Sequence, residues 1–260
     1  MLRKKPSGEL LPSAHAVERE YRVITALRET DVPVPRGHLL CEDPAIIGTP
    51  FYVMEHGEGR ALRDPALPGL GNAERSAIYD DVNCGVAALH RVDYRAVGLE
   101  GYGRSGEFVP RQIDRWTQQY RASQTEPIEA MDRLIEWLPA NVPPLDETRV
   151  FHGGLRFDNL IFHLTEPRVL AVLDWELSTL GHPLADLAYH ALPWRLPWRV
   201  TAAQFAAWPA STMRRSGSRW KRRTCRATAG GSGAIRSTRL TGNYFSPMRC
   251  SASPRSCRES

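Results

Sequence analysis

The stretch from Val150 to Glu176 constrains the fold of this chain more than any other. It runs Val150-Phe-His152-Gly-Gly154-Leu-Arg156-Phe-Asp158-Asn159-Leu-Ile-Phe162 and resumes at Val169-Leu-Ala-Val-Leu-Asp174-Trp-Glu176. The pattern predicts a short apolar strand, a polar loop, a second strand, a turn, and a third strand ending in a carboxylate. Asn159 and Asp174 fall at the ends of two apolar segments, so pairing of those segments brings them together. Both supply hard oxygen ligands, a layout for holding a divalent metal beside a phosphate.

The rest of the chain is read as support for that stretch. Leu2 opens a strand, and Ser13 is placed to cap a helix from Ala14 to about Arg28 with Val17, Tyr21, Ile24 and Leu27 on one face. Gly37 to Cys41 and Thr49 to Glu55 read as strands joined by a turn at Asp43-Pro44. His56-Gly57-Glu58-Gly59 is a polar break that can serve as a hinge. A helix is expected from Asn72, as its cap, to His90, with Ile78, Val82, Val86 and Leu89 as its stripe. Two more are expected over Arg111 to Arg121, carrying Ile113, Trp116 and Tyr120, and over Ile128 to Leu138, carrying Met131, Leu134, Ile135 and Leu138. Pro139 and Pro143-Pro144 should separate them from the Val150 stretch. Gly181-His-Pro183 reads as a turn and Leu184 to His190 as a short helix containing Asp186.

Charge divides the chain. Met1 to Asp186 holds 20 lysines and arginines against 28 acids, whereas Leu187 to Ser260 holds 14 against one. The body is therefore acidic, and the basicity belongs to a C-terminal quarter of Arg, Ser, Thr, Gly, Ala, Pro and Cys without period. Such a segment buries too little apolar surface to offset its ordering entropy, so a disordered tail is expected. Out-of-frame translation of a GC-rich gene is the alternative. A nucleic-acid-binding tail is disfavoured, because Trp220, Tyr244 and Phe245 make a poor stacking platform and no RGG-like repeat accompanies them. Cys41 and Cys84 read as small buried hydrophobes. An odd total of five cysteines without a CxxC framework fits a reducing cytoplasm. No apolar run of membrane-spanning length and no secretory signal is apparent.

Three ordered motifs carry a resemblance: His152-Gly-Gly-Leu-Arg156-Phe-Asp158-Asn159, Leu173-Asp174-Trp175-Glu176, and Gly181-His-Pro-Leu-Ala-Asp186-Leu-Ala. Together they resemble the signature of the aminoglycoside phosphotransferase and choline kinase-like family. They are nearest the branch related to the kinase domain fused to acyl-CoA dehydrogenases. Leu11 to Tyr21 and Thr49 to Glu55 are similar to that branch as well, so the resemblance spans about Leu2 to Trp198. It implies an α+β, protein-kinase-like bilobal fold. Residues 1–56 would form a partial N-lobe, 57–200 a helical C-lobe with the catalytic and metal loops, and 201–260 the basic tail. It also implies ATP- or GTP-dependent phosphorylation of a small hydroxylated substrate.

By that resemblance Asn159 and Asp174 would hold Mg2+, and Arg3 would stand for the strand lysine on the nucleotide phosphates. Strand alternation puts Lys5 on the same face and Lys4 on the opposite one. Glu20 would pair with the strand cation, and the backbone of Met54 and Glu55 would meet the adenine. His152 would be a structural hydrogen-bonder, Arg156 either a phosphate contact or an ion-pair partner, and Asp158 a residue turned away to serve the loop. Asp186 would brace the loop from behind. The sequence departs from the family at Gly154, where an Asp general base is expected. The glycine-rich phosphate loop before Leu2 and the C-terminal helices are also missing from the pattern. A degenerate or truncated phosphotransferase is the resulting expectation, with a non-catalytic nucleotide-binding module as the alternative.

Overall fold

The computed structural model of the chain describes residues 1–6, 16–142, 144 and 146–192. Ser13 and the whole basic tail, with the alternatives weighed for it, lie outside the described residues.

The N-terminal part is a three-stranded antiparallel sheet with one helix packed on it. The strands are β1 (Leu2–Lys4), β2 (Gly37–Cys41) and β3 (Phe51–Met54), in the order β1-β3-β2, with Arg3 opposite Tyr52. Helix α1 (Val17–Leu27) buries Val17, Glu20, Val23, Ile24 and Leu27. Its first residue comes later than the pattern predicts, after Ala16, which makes no side-chain cap. Asp43-Pro44 is not a bare turn. It starts a short helix, α2 (Pro44–Ile47), in which an Asp43 carboxylate oxygen accepts from the Ala45 amide at 2.8 Å and Gly48 closes the end at φ 83°. An Asp-Pro pair is both a turn signal and a helix cap with proline at the first position, so composition alone does not separate the two.

The C-terminal part is built around helix α3 (Asn72–Arg91), which buries Ile78, Val82, Val86 and Leu89 as the stripe predicts. Gly71 rather than Asn72 takes the cap position. A second sheet holds β4 (Arg60–Ala61), β6 (Leu160–Phe162) and β7 (Val169–Val172) in the order β4-β6-β7, with β7 packed on α3. The first strand of the Val150 stretch, β5 (Arg149–Phe151), pairs elsewhere, with β8 (Thr179–Gly181). The segment read as a turn at Gly181 is thus the end of a strand that leads into α6 (Pro183–Ala191).

Helices α4 (Phe108–Ser123) and α5 (Glu129–Ala140) stand apart from this packing. Among the described residues α4 buries only Phe108 and α5 buries none. The predicted stripes are only partly covered: Ile113, Tyr120, Met131, Ile135 and Leu138 are half-buried, whereas Trp116 and Leu134 are exposed. Pro139 does not end α5 as expected. It sits in the last turn, where its missing N–H sacrifices a single helical bond.

One contiguous core joins both parts, from Val17, Ile24 and Tyr52 through Ile78 and Val86 to Phe157, Phe162 and Trp175. Two cysteine expectations are corrected: Cys41 is half-buried and Cys84 is exposed, because Cys84 falls between the inward positions of α3. No helix among the described residues is long and apolar enough to cross a membrane.

Candidate active site

The loop between β5 and β6 is held through its backbone. Asp186 on α6 is fully buried. One of its carboxylate oxygens accepts from the His152 amide at 2.7 Å and the other from the Gly153 amide at 2.8 Å. His90, at the end of α3, brings its Nε2 within 3.4 Å of the same carboxylate. Gly153 is required here: its φ is +84°, and an added Cβ would lie 2.7 Å from the Leu177 carbonyl oxygen. His152 has no exposed surface, and burial lowers its pKa, so the imidazole is neutral. Its Nδ1 accepts from the Gly154 amide at 3.1 Å, which leaves the proton on Nε2, donated to the Leu173 carbonyl at 3.0 Å. The ring meets Trp175 edge-on at 4.5 Å. Both ring nitrogens of His152 are thus engaged by the backbone of its own loop and of β7's end.

Farther along the loop, Arg156 forms a two-pronged pair with Asp158, Nε donating to Oδ1 at 2.8 Å and Nη2 to Oδ2. The bonds to Arg156 hold the Asp158 carboxyl below its usual range, and the Asp158 bonds raise the Arg156 guanidinium. Of the two roles left open for Arg156, the ion pair is what the structure forms. Leu155 is reached from below by His190, whose Nδ1 lies 3.1 Å from its carbonyl; burial pushes the His190 pKa down to about 4.

The backbones that carry Asn159 and Asp174 run side by side. β6 and β7 pair antiparallel with Leu160 opposite Val172, and the Leu173 amide donates to the Asn159 carbonyl at 2.8 Å. Asn159 Nδ2 donates to the Gly154 carbonyl at 2.8 Å, which leaves the amide oxygen Oδ1 as its acceptor atom. Asp174 follows, in a left-handed conformation at φ 66°, ψ 59°, unusual for a residue with a side chain. No group of three or more His, Cys, Asp and Glu among the described residues is arranged to hold a metal by itself. One amide oxygen and one carboxylate are nonetheless a donor set that suits magnesium carried in by phosphates.

Arg3 ties the two parts of the chain together at this point. Its Nε lies 3.1 Å from Glu20 Oε2, and Nη2 lies 3.0 Å from Asp174 Oδ1 and 3.7 Å from Glu176 Oε2. Glu20 is 1% exposed and also accepts from the Tyr52 hydroxyl at 3.1 Å. Burial raises the Glu20 carboxyl, outweighing the pull of Arg3. Burial works against the Arg3 charge too, but Glu20 and then Asp174 outweigh it and the guanidinium is held above its ordinary range. Burial and the Glu20 charge raise the Tyr52 phenol, so it stays a donor. Met54 is spent on the sheet: its amide donates to the Met1 carbonyl at 2.9 Å and its carbonyl accepts from the Met1 amine at 2.6 Å. The Glu55 amide donates to the Arg36 carbonyl at 2.8 Å.

Sequence reasoning did not find Tyr52, His90, His190, Arg19, Tyr102 or Ser178. For Tyr52 a signal existed, since alternation along β3 puts it on the face that Arg3 meets.

The sequence description of the phosphotransferase enzyme family matches residues 1–222. Acyl-CoA dehydrogenase family member 10 of Mus musculus is 54% identical over 197 residues, which are 76% of this chain and 18% of that protein. The chain therefore spans less than a fifth of that relative's length. Among solved structures, a protein of Ralstonia eutropha JMP134 assigned as an aminoglycoside phosphotransferase is 48% identical with a TM-score of 0.71, covering 83% of this chain and 68% of that one. A streptomycin–ATP ternary complex of an aminoglycoside phosphotransferase shares the fold at 14% identity and a TM-score of 0.55, over 89% and 80% of the two chains.

Proposed function

This chain belongs to the phosphotransferase enzyme family, and from that premise we propose that it binds ATP or GTP with magnesium and transfers phosphate weakly to a small hydroxylated molecule. The observation that carries this reading is the meeting of Asn159 and Asp174 across the β6–β7 pair, with Arg3 and Glu20 beside them. Asn159 Oδ1 and the Asp174 carboxylate would hold the magnesium, and Arg3 would neutralise the nucleotide phosphates. Magnesium supplies charge neutralisation at the transferring phosphate. Because Met54 and the Glu55 amide are committed to backbone partners, the adenine contact falls to the Glu55 carbonyl and to His56 and Gly57 after it.

Weak turnover follows from Gly154. In the family resemblance that position carries the Asp base that takes the proton of the attacking hydroxyl, and loss of a positioned base costs roughly 10²–10⁴-fold. His152 is no substitute, because its ring is buried and both nitrogens are engaged. The same glycine favours a second reading, a nucleotide-binding module without transfer. The acidic body and the odd cysteine count favour the cytoplasm.

Thermal stability with ATP, with and without magnesium, tests the shared core of both readings. A magnesium-dependent rise that disappears in Asp174→Ala is expected. No rise in the parent chain contradicts nucleotide binding.

A further inference from the structure

Asp174 sits in a left-handed turn whose backbone conformation costs roughly 1 kcal/mol for a residue with a Cβ. Such a turn keeps its shape only if neighbours hold it from more than one side. One hold is the Glu20–Arg3–Asp174 chain already described. The other comes from the adjacent residue of α1. Arg19 Nη2 donates to the Ser178 carbonyl at 3.3 Å and to the Tyr102 carbonyl at 2.9 Å, and its guanidinium lies 4.4 Å from the centre of the Tyr102 ring. Ser178 ends the single 3-10 turn Trp175–Leu177 that follows Asp174. The Tyr102 hydroxyl, on a residue 1% exposed, meets Ser178 Oγ at 2.5 Å and the Arg19 carbonyl at 3.3 Å. Ser178 Oγ in turn donates to the Trp175 carbonyl.

We propose that Arg19 is a positioning residue for the metal turn: α1 grips Asp174 from before through Glu20 and Arg3, and from behind through Arg19, Tyr102 and Ser178. Neighbouring residues on a helix project about 100° apart, so Glu20, through Arg3, and Arg19 reach the two ends of one turn, Asp174 and Ser178, from a single rigid element. The spacing of the two grips is then set by the helix, and Asp174 is held in its left-handed conformation before any nucleotide arrives. The part about magnesium rests on the proposed function; the part about the turn does not.

Arg22 supplies the control. It lies one turn farther along α1 and donates to the Gly98 and Glu100 carbonyls at 3.0 Å each. It therefore ties the helix to the loop that carries Tyr102, with its guanidinium 5.7 Å from the centre of that ring, but makes no hydrogen bond to the turn after Asp174.

The experiment uses the full chain and its Arg19→Ala, Arg22→Ala and Tyr102→Phe variants. Amide hydrogen exchange of residues 174–178 is measured without nucleotide, and ATP affinity with and without magnesium. Arg19→Ala should speed exchange at the turn by about tenfold and weaken only the magnesium-dependent part of ATP binding. Arg22→Ala should leave the turn unchanged. Tyr102→Phe, which keeps the ring and removes the bond to Ser178, should loosen the turn in the same direction and guards against Arg19→Ala failing to fold. Equal loosening by Arg19→Ala and Arg22→Ala, or no loosening in Arg19→Ala and Tyr102→Phe, overturns the proposal. If the parent chain binds no magnesium-ATP, the functional reading fails while the exchange data still decide the role of Arg19.

Discussion

Asn159 and Gly154 are five residues apart and joined by one hydrogen bond, yet the site is built in opposite ways around them. On the Asn159 side everything is interlocked: the strand pair, Asp174, Arg3, Glu20 and Tyr52 hold one another across sequence separations up to 171 residues. On the Gly154 side only the backbone is held, and a Cβ built there meets nothing closer than Asn159 Nδ2 at 3.6 Å. Asp186 braces the loop through main-chain amides, so the loop keeps its shape whatever side chain position 154 carries. The difference separates fold from chemistry. On the proposed reading, position 154 would lack a proton acceptor, while the backbone that would carry it is held by Asp186.

The largest stability effect should therefore come from the brace. Asp186→Ala leaves two buried amides and His90 without their acceptor and should cost about 3–5 kcal/mol in chemical denaturation. A loss below about 1 kcal/mol would mean that the loop is held some other way. Next is the response to acid. His190 is buried and neutral with a pKa pushed down to about 4, below its unfolded value, so the unfolded chain binds the proton first. Stability present above about pH 6.5 should fall as pH drops toward 4, by up to roughly 3 kcal/mol. His190→Asn keeps a donor near Nδ1 and removes the titration, so its profile should be flatter; an unchanged slope would exclude His190 as the source.

The two adjacent glycines give the sharpest contrast. Gly153→Ala combines a positive φ with a backbone clash and should cost about 2–3 kcal/mol. Gly154→Ala should change stability by no more than about 0.5 kcal/mol. Similar losses at both positions would erase the distinction between a held backbone and an open side-chain position. The smallest effect is expected far from the site, at the Arg133–Glu129 pair on α5, where both side chains are more than three-quarters exposed. A double-mutant cycle there should give at most about 0.5 kcal/mol.

The parts of this site that lie close in sequence were legible before the structure. Periodicity found α1, α3 and the β6–β7 pair; the resemblance pointed to Arg3, and strand alternation left Lys5 on the same face. The side-chain traffic across the molecule was not, because nothing local links Arg19 to Tyr102 or Ser178, 83 and 159 residues away. The errors were local ambiguities. Asp43-Pro44 writes a turn and a helix start with the same letters, and Pro139 is tolerated where few helical bonds remain to be broken. β8 was missed because Thr179, Leu180 and Gly181 are too short a run to show alternation, and β5 needs them only in three dimensions. For α4 and α5 the stripes were readable, but sequence does not say how far a stripe is covered; among the described residues Trp116 and Leu134 are exposed while Ile113, Ile135 and Leu138 are half-buried.

Phosphate release from magnesium-ATP by the parent chain and by Gly154→Asp, under identical conditions, tests the central claim most directly. The loop has room for the side chain, so Gly154→Asp should bind nucleotide as the parent does and release phosphate roughly 10²–10⁴-fold faster. A parent chain that turns over at an ordinary kinase rate, with Gly154→Asp no faster, would contradict the account.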